Sequence, residues 1–454
     1  MPTPAEPPEP GTASGDRVTL RAKLSLVILT VFYMLFFLDK QIFSLLANML
    51  GESLDFGDTQ LGILQGFAYS IPYSLNVLFV GWLVDRYSRR GVLFGGVLLW
   101  SMAAAASGLA TSFTTMAFAR AGVGFGEAAL IPAALPLLAA IFPRDKVSGA
   151  IGLFYAGANV GGFLANLVGG MLIDTLVAAG DIRVPILGLI APWQATFLVT
   201  GLPGVALAFL AWGLAEPKVA RVARTLKQAT ETTLTEGRQT MAGYFRDHWF
   251  FFVTYTLATS TMSLSAYTLF AWSAPYFGRT YGWSNTVIGA ATALGMVVSM
   301  AGNPLWGVVA DRLRRKGHLD GVYRVFIPLV VLGVPFTAIG YLVQIPAVTI
   351  VFYLLSHLSL AAFGANMSAL QLAAPAHLRG RLTGIKLVVA GVIGLGAGPV
   401  SAGFFAEHVF KSRDALGPSI VASVTMASIV AAALMIWGRK AYARAVLAQE
   451  PIRP

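Results

Sequence analysis

The most regular feature of the chain is a succession of long apolar segments. Predominantly apolar stretches of about 20 residues recur along its whole length, and a helix of that length crosses roughly 30 Å of hydrocarbon. Short polar segments rich in arginine and lysine separate these stretches. The pattern predicts twelve membrane-spanning helices. We number them spans 1 to 12 and expect them at 24–49, 59–85, 92–111, 113–141, 147–174, 191–215, 248–277, 284–311, 325–343, 346–373, 382–408 and 416–438.

The longest polar segment, 216–247, divides the spans into two sets of six. We therefore expect an N-terminal six-helix bundle at 21–215 and a C-terminal six-helix bundle at 248–440. Residues 1–20 are predicted to be a disordered tail, and 441–454 a C-terminal tail. The linker between the bundles is predicted to be cytoplasmic. Its apolar residues near helical spacing fit a helix lying on lipid headgroups, and its composition fits a flexible linker equally well.

Composition supports a membrane protein and argues against an enzyme. The chain is 56% hydrophobic and 12% charged, whereas soluble domains carry about 25% charged residues. It contains no cysteine, which excludes disulfides, thiol nucleophiles and thiolate metal sites. It also contains no Gly-Lys pair, so it has no Walker A loop, and no HExxH motif. We expect no enzymatic activity, no cofactor and no metal site.

The distribution of basic residues predicts the orientation. With the N-terminus inside, 25 of the 32 lysines and arginines fall in cytoplasmic segments and the span ends that border them. Four fall in the outer loops, at Arg183, Arg279, Lys411 and Arg413. This excess places both termini in the cytoplasm. It also accounts for the net charge of +11 without a nucleic-acid partner.

One basic motif occurs twice. "GWLVDRYSRRG" at Gly81–Gly91 joins spans 2 and 3, and "GVVADRLRRKG" at Gly307–Gly317 joins spans 8 and 9. Spans 2 and 8 also begin alike, with "DTQLG" at Asp58–Gly62 and "NTVIG" at Asn285–Gly289, whose first side chains suit helix capping. The chain therefore consists of two homologous halves, which is a transporter architecture.

The repeated loops are predicted to form a conformational latch. Their acidic residues lie at cytoplasmic helix ends, where they can pair with basic groups or with the N-terminus of a neighbouring helix. Such a contact can hold the two halves together in one state and break in the other. The residues concerned are Asp85, Arg86, Arg89, Arg90, Asp311 and Arg312.

The repeated loop resembles the signature G-x-x-x-D-R-x-x-R-R of the major facilitator superfamily. "LAEPK" at Leu214–Lys218 is similar to a second mark of that superfamily. The resemblance implies an all-α polytopic membrane protein, the major facilitator fold, with twelve transmembrane helices in two pseudo-symmetric six-helix bundles. It covers essentially residues 20–440.

Three stretches resemble the Spinster family within that superfamily. They are Arg120–Asp145, with "RAGVGFGEA", Gly149–Gly170, and "FFLDKQIFSLL" at Phe36–Leu46. The last departs from the family pattern, because Lys40 stands where arginine is usual and Phe36–Phe37 replace an Asn-Tyr pair. The resemblance implies an amphipathic lipid substrate of the sphingosine phosphate or lysophospholipid type.

Four charges lie inside predicted spans 1 and 4, where each costs about 2.5–3.5 kcal/mol on insertion scales. Span 1 carries Asp39 and Lys40, and span 4 carries Arg120 and Glu127 seven residues apart on one helix face. Counting ~1.5 Å per residue places Asp39 between the two span-4 charges in depth. We predict one cluster in which Asp39 and Glu127 carry protons and Lys40 and Arg120 bind an anionic substrate. A static buried ion network is the alternative.

Further substrate-binding residues are predicted in the second half. Lys386 in span 11 adds a cation, although its side chain could also reach the cytoplasmic surface. His357 in span 10 fits a ligand or a hydrogen-bonded structural residue. Asn366 and Gln371 are expected to line the cavity.

These observations predict a monomeric, proton-coupled secondary carrier in a bacterial inner membrane, working by alternating access. Its partners are protons, membrane lipids and an amphipathic anionic lipid substrate. A small organic anion or sugar acid is the alternative substrate, and a channel is the alternative class.

Overall fold

The computed structural model describes residues 18–143, 145–185, 187–216, 240–361 and 363–449, without the side chains of 363–367. Most of the predicted N-terminal tail, the linker from 217 to 239 and the last residues of the C-terminal tail lie outside the described residues. The described part is helical apart from one small hairpin between spans 5 and 6, formed by Ile182–Val184 and Gly188–Ile190.

The first half contains six helical spans. Their helices are Leu20–Ser53, Asp58–Gln65 with Phe67–Arg86, Arg89–Ser107, Phe113–Glu127 with Leu130–Ile141, Val147–Ala179, and Pro192–Ala208 continued by a 3-10 turn, Phe209–Gly213. Thr19 caps span 1, since its hydroxyl accepts from the backbone N–H of Ala22. The first helix therefore begins four residues before the apolar segment that predicts it.

The second half repeats the pattern. Its helices are Met241–Tyr281, Asn285–Arg315, Gly321–Leu342, Pro346–Leu360 with Phe363–Ala373, Arg379–Ala390 with Ala397–Phe404, and Leu416–Leu447 after a 3-10 turn, Arg413–Ala415. Two π-helical segments, Gly391–Gly396 and Phe405–Val409, interrupt and end span 11. Span 7 begins inside the predicted linker, and span 12 extends into the predicted C-terminal tail.

Ten of these spans are long and apolar enough to cross a membrane by length and composition alone, counting the described residues. The other two are the long span 7, which is rich in serine, threonine and aromatic residues, and span 10, whose described part consists of two shorter helices. The all-α polytopic fold predicted from the apolar pattern is confirmed.

The helix break in span 2 lies at a close contact between the two halves. A Cβ atom on Gly66 would lie 2.1 Å from the backbone oxygen of Gly396 in span 11. Only glycine allows so close an approach of two backbones. Helix Asp58–Gln65 ends before this residue, and helix Phe67–Arg86 begins after it.

Each half has its own apolar core, and a third core joins the halves. The third core gathers residues from spans 1, 2 and 6 with residues from spans 7, 8 and 12, including Phe43, Leu46, Trp193, Trp272 and Ile420. It lies toward the end of the bundle where spans 1, 5, 7 and 11 finish and spans 2 and 8 begin. We call this the gate end, and the opposite end, which carries the repeated arginine-rich loops, the basic end.

Candidate functional site: a buried double ion pair and the gate end

The structure brings the four predicted intramembrane charges together as two ion pairs. Arg120 Nη1 donates to Asp39 Oδ2 at 2.5 Å, and Lys40 Nζ donates to Glu127 Oε2 at 2.6 Å. Arg120 and Glu127 are 2% and 0% exposed. Both pairs connect span 1 to span 4, so the paired charges lie within the N-terminal half.

The helical geometry of the two spans determines this pairing. Adjacent residues on a helix point about 100° apart, so Asp39 and Lys40 can reach different neighbours on one facing helix. Arg120 and Glu127 are separated by two turns on one face, which places one partner above the other. The resulting set has two acids and two bases, so burial leaves no net charge.

Aromatic rings cover the two cations. The Lys40 ammonium lies 3.4 Å from the Phe36 ring centroid and 4.5 Å from that of Tyr69. The Arg120 guanidinium lies 4.7 Å from the Phe43 ring centroid. Ring faces attract cations and replace part of the lost water. Tyr69 also donates its hydroxyl to Glu127 Oε2 at 2.5 Å.

Several buried polar atoms of this cluster make no hydrogen bond. They are Arg120 Nε, Glu127 Oε1 and Gln65 Nε2. A cavity beside the pairs is lined by Lys40, Arg120 and Gln65, and is completed by aromatic and apolar residues of spans 1, 7 and 11: Phe43, Tyr267, Phe270, Ala271, Leu395 and Pro399. Sequence reasoning missed Gln65 and Tyr69. Neither residue belongs to a motif or carries a formal charge, so the sequence carried no signal for them.

The structure places the predicted second-half residues apart from this cavity. Lys386 is fully buried near the Tyr255 ring, which contradicts the alternative that its side chain reaches the surface. His357 Nδ1 lies 3.0 Å from the backbone oxygen of Tyr353, one turn earlier in span 10. Gln371 is exposed, and the side chain of Asn366 lies outside the described part.

The two halves are joined at the gate end by a partly buried ion pair. Arg279, at the end of span 7, donates through Nη1 and Nη2 to both oxygens of Asp58, at 2.8 and 2.7 Å. Its Nε donates to Asn48 Oδ1 at 2.8 Å. Bidentate pairing of this kind is stronger and more directional than a single hydrogen bond. The expectation that Asp58 caps its own helix is wrong, because its carboxylate pairs across the halves instead.

Two carboxylates cap helices of the opposite half at the same end. Asp174, near the end of span 5, accepts from the backbone N–H groups of Asn285 and Thr286 in span 8, at 2.9 and 2.7 Å. Glu407, near the end of span 11, accepts from the backbone N–H of Thr59 in span 2 at 2.9 Å. The repeat relates span 5 to span 11 and span 8 to span 2, so the two caps are pseudo-symmetric. The Asn285 side chain donates to Asp174 and therefore does not cap span 8.

At the basic end, the predicted latch residues Asp85, Arg86, Asp311 and Arg312 are exposed. The other two contact the end of span 6. The backbone N–H of Arg89 donates to Glu216 at 2.6 Å, and Arg90 Nε lies 3.7 Å from the same carboxylate. These contacts lie within one half.

The second half has a corresponding contact between its loop and a span end. Here the loop carries the acidic residue and the span end carries the basic one. Asp320, in the loop between spans 8 and 9, accepts from Arg439 at the end of span 12 and from Arg324 at 2.9 Å. Burial alone would raise the pKa of Asp320, but these hydrogen bonds outweigh it and hold the pKa below its ordinary value. The arginine-rich loop is therefore tied to span 6 in one half and to span 12 in the other.

No cluster of histidine and acidic side chains that could hold a metal ion occurs in the described part of the chain. The buried charges pair with one another, and two residues that line the cavity, Gln65 and Arg120, each carry a buried donor without a hydrogen-bond partner. Such an arrangement can exchange a proton and an anion without a net change of buried charge.

The profile of the Major Facilitator Superfamily matches residues 29–399. Among curated proteins, an MFS-type efflux pump of Mycolicibacterium smegmatis is 23% identical over 419 residues, which are 91% of each chain. A hexuronate transporter of Bacillus subtilis is 22% identical over 289 residues, 63% of this chain and 64% of that one.

Among solved structures, a bacterial homologue of the human lysosomal transporter Spinster, inward-facing and unoccupied, superposes with a TM-score of 0.75. The two sequences are 20% identical, and the match covers 96% of this chain and all of that one. At this identity the comparison establishes the fold, and the predicted major facilitator architecture is confirmed.

Proposed function

Since this chain belongs to the Major Facilitator Superfamily and is a multi-pass transporter, we propose that it is a proton-coupled secondary carrier of an amphipathic anion. The observation that carries the proposal is the pairing of Arg120 with Asp39 and of Lys40 with Glu127 inside the membrane. Breaking a buried pair by removing one partner costs about 3–5 kcal/mol. Each buried carboxylate is therefore stabilised by its cation, and each cation by its carboxylate.

Coupling follows from this mutual dependence. When Asp39 takes up a proton, Arg120 loses its counter-charge and needs another anion. Arg120 lines the cavity, and its Nε already lacks a hydrogen-bond partner. An anionic substrate then restores neutrality at the site, and its departure drives the proton off again. One proton per substrate negative charge keeps the buried cluster neutral throughout the cycle.

Alternating access is supported by the unequal ends of the bundle. The Arg279–Asp58 pair and the two carboxylate caps close the gate end, while Asp85 and Asp311 at the basic end are exposed. We place the basic end in the cytoplasm of a bacterium, in line with the distribution of lysine and arginine. The described arrangement then corresponds to a carrier closed to the outside. Asp85 and Asp311 form the latch of the opposite state.

The substrate combines an anionic head with an apolar portion. The cations Lys40 and Arg120 suit the head, and the aromatic wall of Phe43, Tyr267 and Phe270 suits an acyl chain. The three sequence stretches that resemble the Spinster family favour a lysophospholipid or sphingosine phosphate. The likeness to a hexuronate transporter favours the second candidate, a sugar acid, which needs the same cations without the chain.

Transport by the purified protein in liposomes tests the proposal. With an inward proton gradient, 1-oleoyl-lysophosphatidate or galacturonate should accumulate, with saturation and with counterflow when unlabelled substrate is preloaded. Accumulation that ignores the pH gradient would contradict proton coupling. A flux without saturation or counterflow would indicate a channel.

A further inference from the structure

We propose that Gln65 is the third donor of an anion subsite formed with Arg120 and Lys40, and that this subsite makes the carrier select a headgroup with several acceptor oxygens, a phosphate or a carboxylate. The proposal rests on the proposed function and names a residue and a headgroup chemistry that the paired charges alone do not supply.

Gln65 and Arg120 each present a donor without a hydrogen-bond partner. Gln65 Nε2 and Arg120 Nε are both buried, and both residues line the cavity that Lys40 also borders. Their other neighbours in the lining, such as Phe43, Leu395 and Phe270, offer apolar or aromatic surface there. Two cationic groups and one amide therefore converge on one space.

Leaving a buried donor unpaired has a cost, since each such group loses its hydrogen bonds to water without replacement. A protein that leaves two donors unpaired beside one cavity gains most from a ligand that accepts from both. A negatively charged acceptor is favoured when a proton on Asp39 or Glu127 leaves Arg120 or Lys40 without its counter-charge. A carboxylate or phosphate has the required oxygens in a compact group, whereas a neutral hydroxyl has one.

The helix that carries Gln65 is interrupted directly after this residue, as is common at ligand sites. Gln65 is the last residue of helix Asp58–Gln65, and the break at Gly66 packs on Gly396. Gly396 ends the π-helical segment Gly391–Gly396, which also contains the cavity residue Leu395. π-Helical segments of this kind occur often at functional sites. The position of Gln65 thus depends on a contact between the two halves, which couples the subsite to the closed gate end.

Binding to the purified full-length protein tests the subsite. The probes are 1-oleoyl-lysophosphatidate against uncharged 1-oleoylglycerol, and galacturonate against galactose. Gln65→Glu keeps the side-chain size but adds a carboxylate that can accept from Arg120 and occupy the place of the ligand oxygens. We expect it to weaken binding of the two anions about tenfold or more. The free energy of a hydrogen bond to a charged group corresponds to at least that change in affinity. Binding of the neutral probes should change less than about twofold.

Two variants accompany this test. Gln65→Met removes the amide without adding charge and should also lower the anion preference, by a smaller factor. Gln344→Glu makes the same chemical change at an exposed loop position and should leave the preference unchanged. Wild-type selectivity in a folded Gln65→Glu or Gln65→Met protein would overturn the subsite while leaving the proposed function standing. A wild-type protein that does not prefer the anions would instead overturn the anionic substrate itself, and the subsite with it. Which anion binds more tightly decides between the lipid and the sugar acid.

Discussion

Lys40 and Glu127 form an ion pair of 2.6 Å in which the same Glu127 oxygen also accepts the hydroxyl of Tyr69 at 2.5 Å. The pair links span 1 to span 4, and Tyr69 adds span 2. Three helices of one half are therefore held together by a single buried carboxylate. Since nothing in hydrocarbon screens these charges, the loss of one partner leaves the other exposed to the full cost of burial.

The first prediction concerns this mutual dependence. Lys40→Met should lower stability by about 3–5 kcal/mol, because it leaves Glu127 buried without its cation. Adding Glu127→Gln should recover most of the loss, because the double variant contains no unpaired charge. Thermal melting of the two single variants and the double variant measures the coupling. Additive losses would show that the two residues act independently.

The second prediction concerns the gate end. Asp174→Ala and Glu407→Ala each remove a helix cap worth about 0.5–2 kcal/mol, from the closed state alone. Each should raise the population open at the gate end by roughly 2–30-fold. Because the caps are pseudo-symmetric, the two effects should be similar. Spin labels at Ala178→Cys and Val409→Cys, in a chain that has no other cysteine, report the opening. The control Asp181→Ala removes an exposed carboxylate at the same end and should have no effect.

The third prediction concerns the latch. Its loss should shift the populations in the opposite direction, toward the state that is open at the basic end. Asp85 is exposed when the gate end is closed, so Asp85→Asn should destabilise only the other state. We expect the ratio of the population open at the basic end to the population open at the gate end to rise by roughly 5–150-fold. Labels at Tyr87→Cys and Arg315→Cys measure this distance. An unchanged distribution, equal to that of the exposed-site control Asp145→Asn, would remove the latch explanation.

The fourth prediction uses the tie between Asp320 and Arg439. The arginines hold the pKa of Asp320 below its ordinary value, so the folded protein gains stability from the charged form. This gain is complete above the unfolded pKa of about 3.9 and is lost as the pH falls through the lower folded value. Asp320→Asn should therefore lower the melting temperature at pH 7, and the difference from wild type should disappear in strong acid. A difference independent of pH would assign the effect to packing.

Much of the fold could be predicted from the sequence because membrane spans depend on local apolarity and length. Span 7 shows the limit of that signal, since its serines and threonines lower its hydropathy. Its helix starts at Met241, where Thr240 accepts from the N–H of Gly243. Helix ends depend on such single hydrogen bonds, and apolar patterns do not record them.

The buried cluster was predictable for a related reason. Charges inside a span are rare enough to stand out, and helical spacing places Arg120 and Glu127 on one face. Gln65 could not be singled out, because one amide in an apolar segment gives no such contrast. The roles of Asp174 and Glu407 were also out of reach, because they depend on which helices of opposite halves touch. Only the packing of span 5 on span 8 and of span 2 on span 11 reveals them.

Transport by variants of the two carboxylates tests the central claim most directly. Purified wild-type, Asp39→Asn and Glu127→Gln proteins in liposomes would be compared for accumulation of the transported anion under an inward proton gradient, and for counterflow without a gradient. Glu52→Gln, an exposed carboxylate in span 1, is the matched control. The account predicts that Asp39→Asn and Glu127→Gln abolish accumulation but retain counterflow, while the control retains both. Full accumulation by both variants under the proton gradient would contradict it.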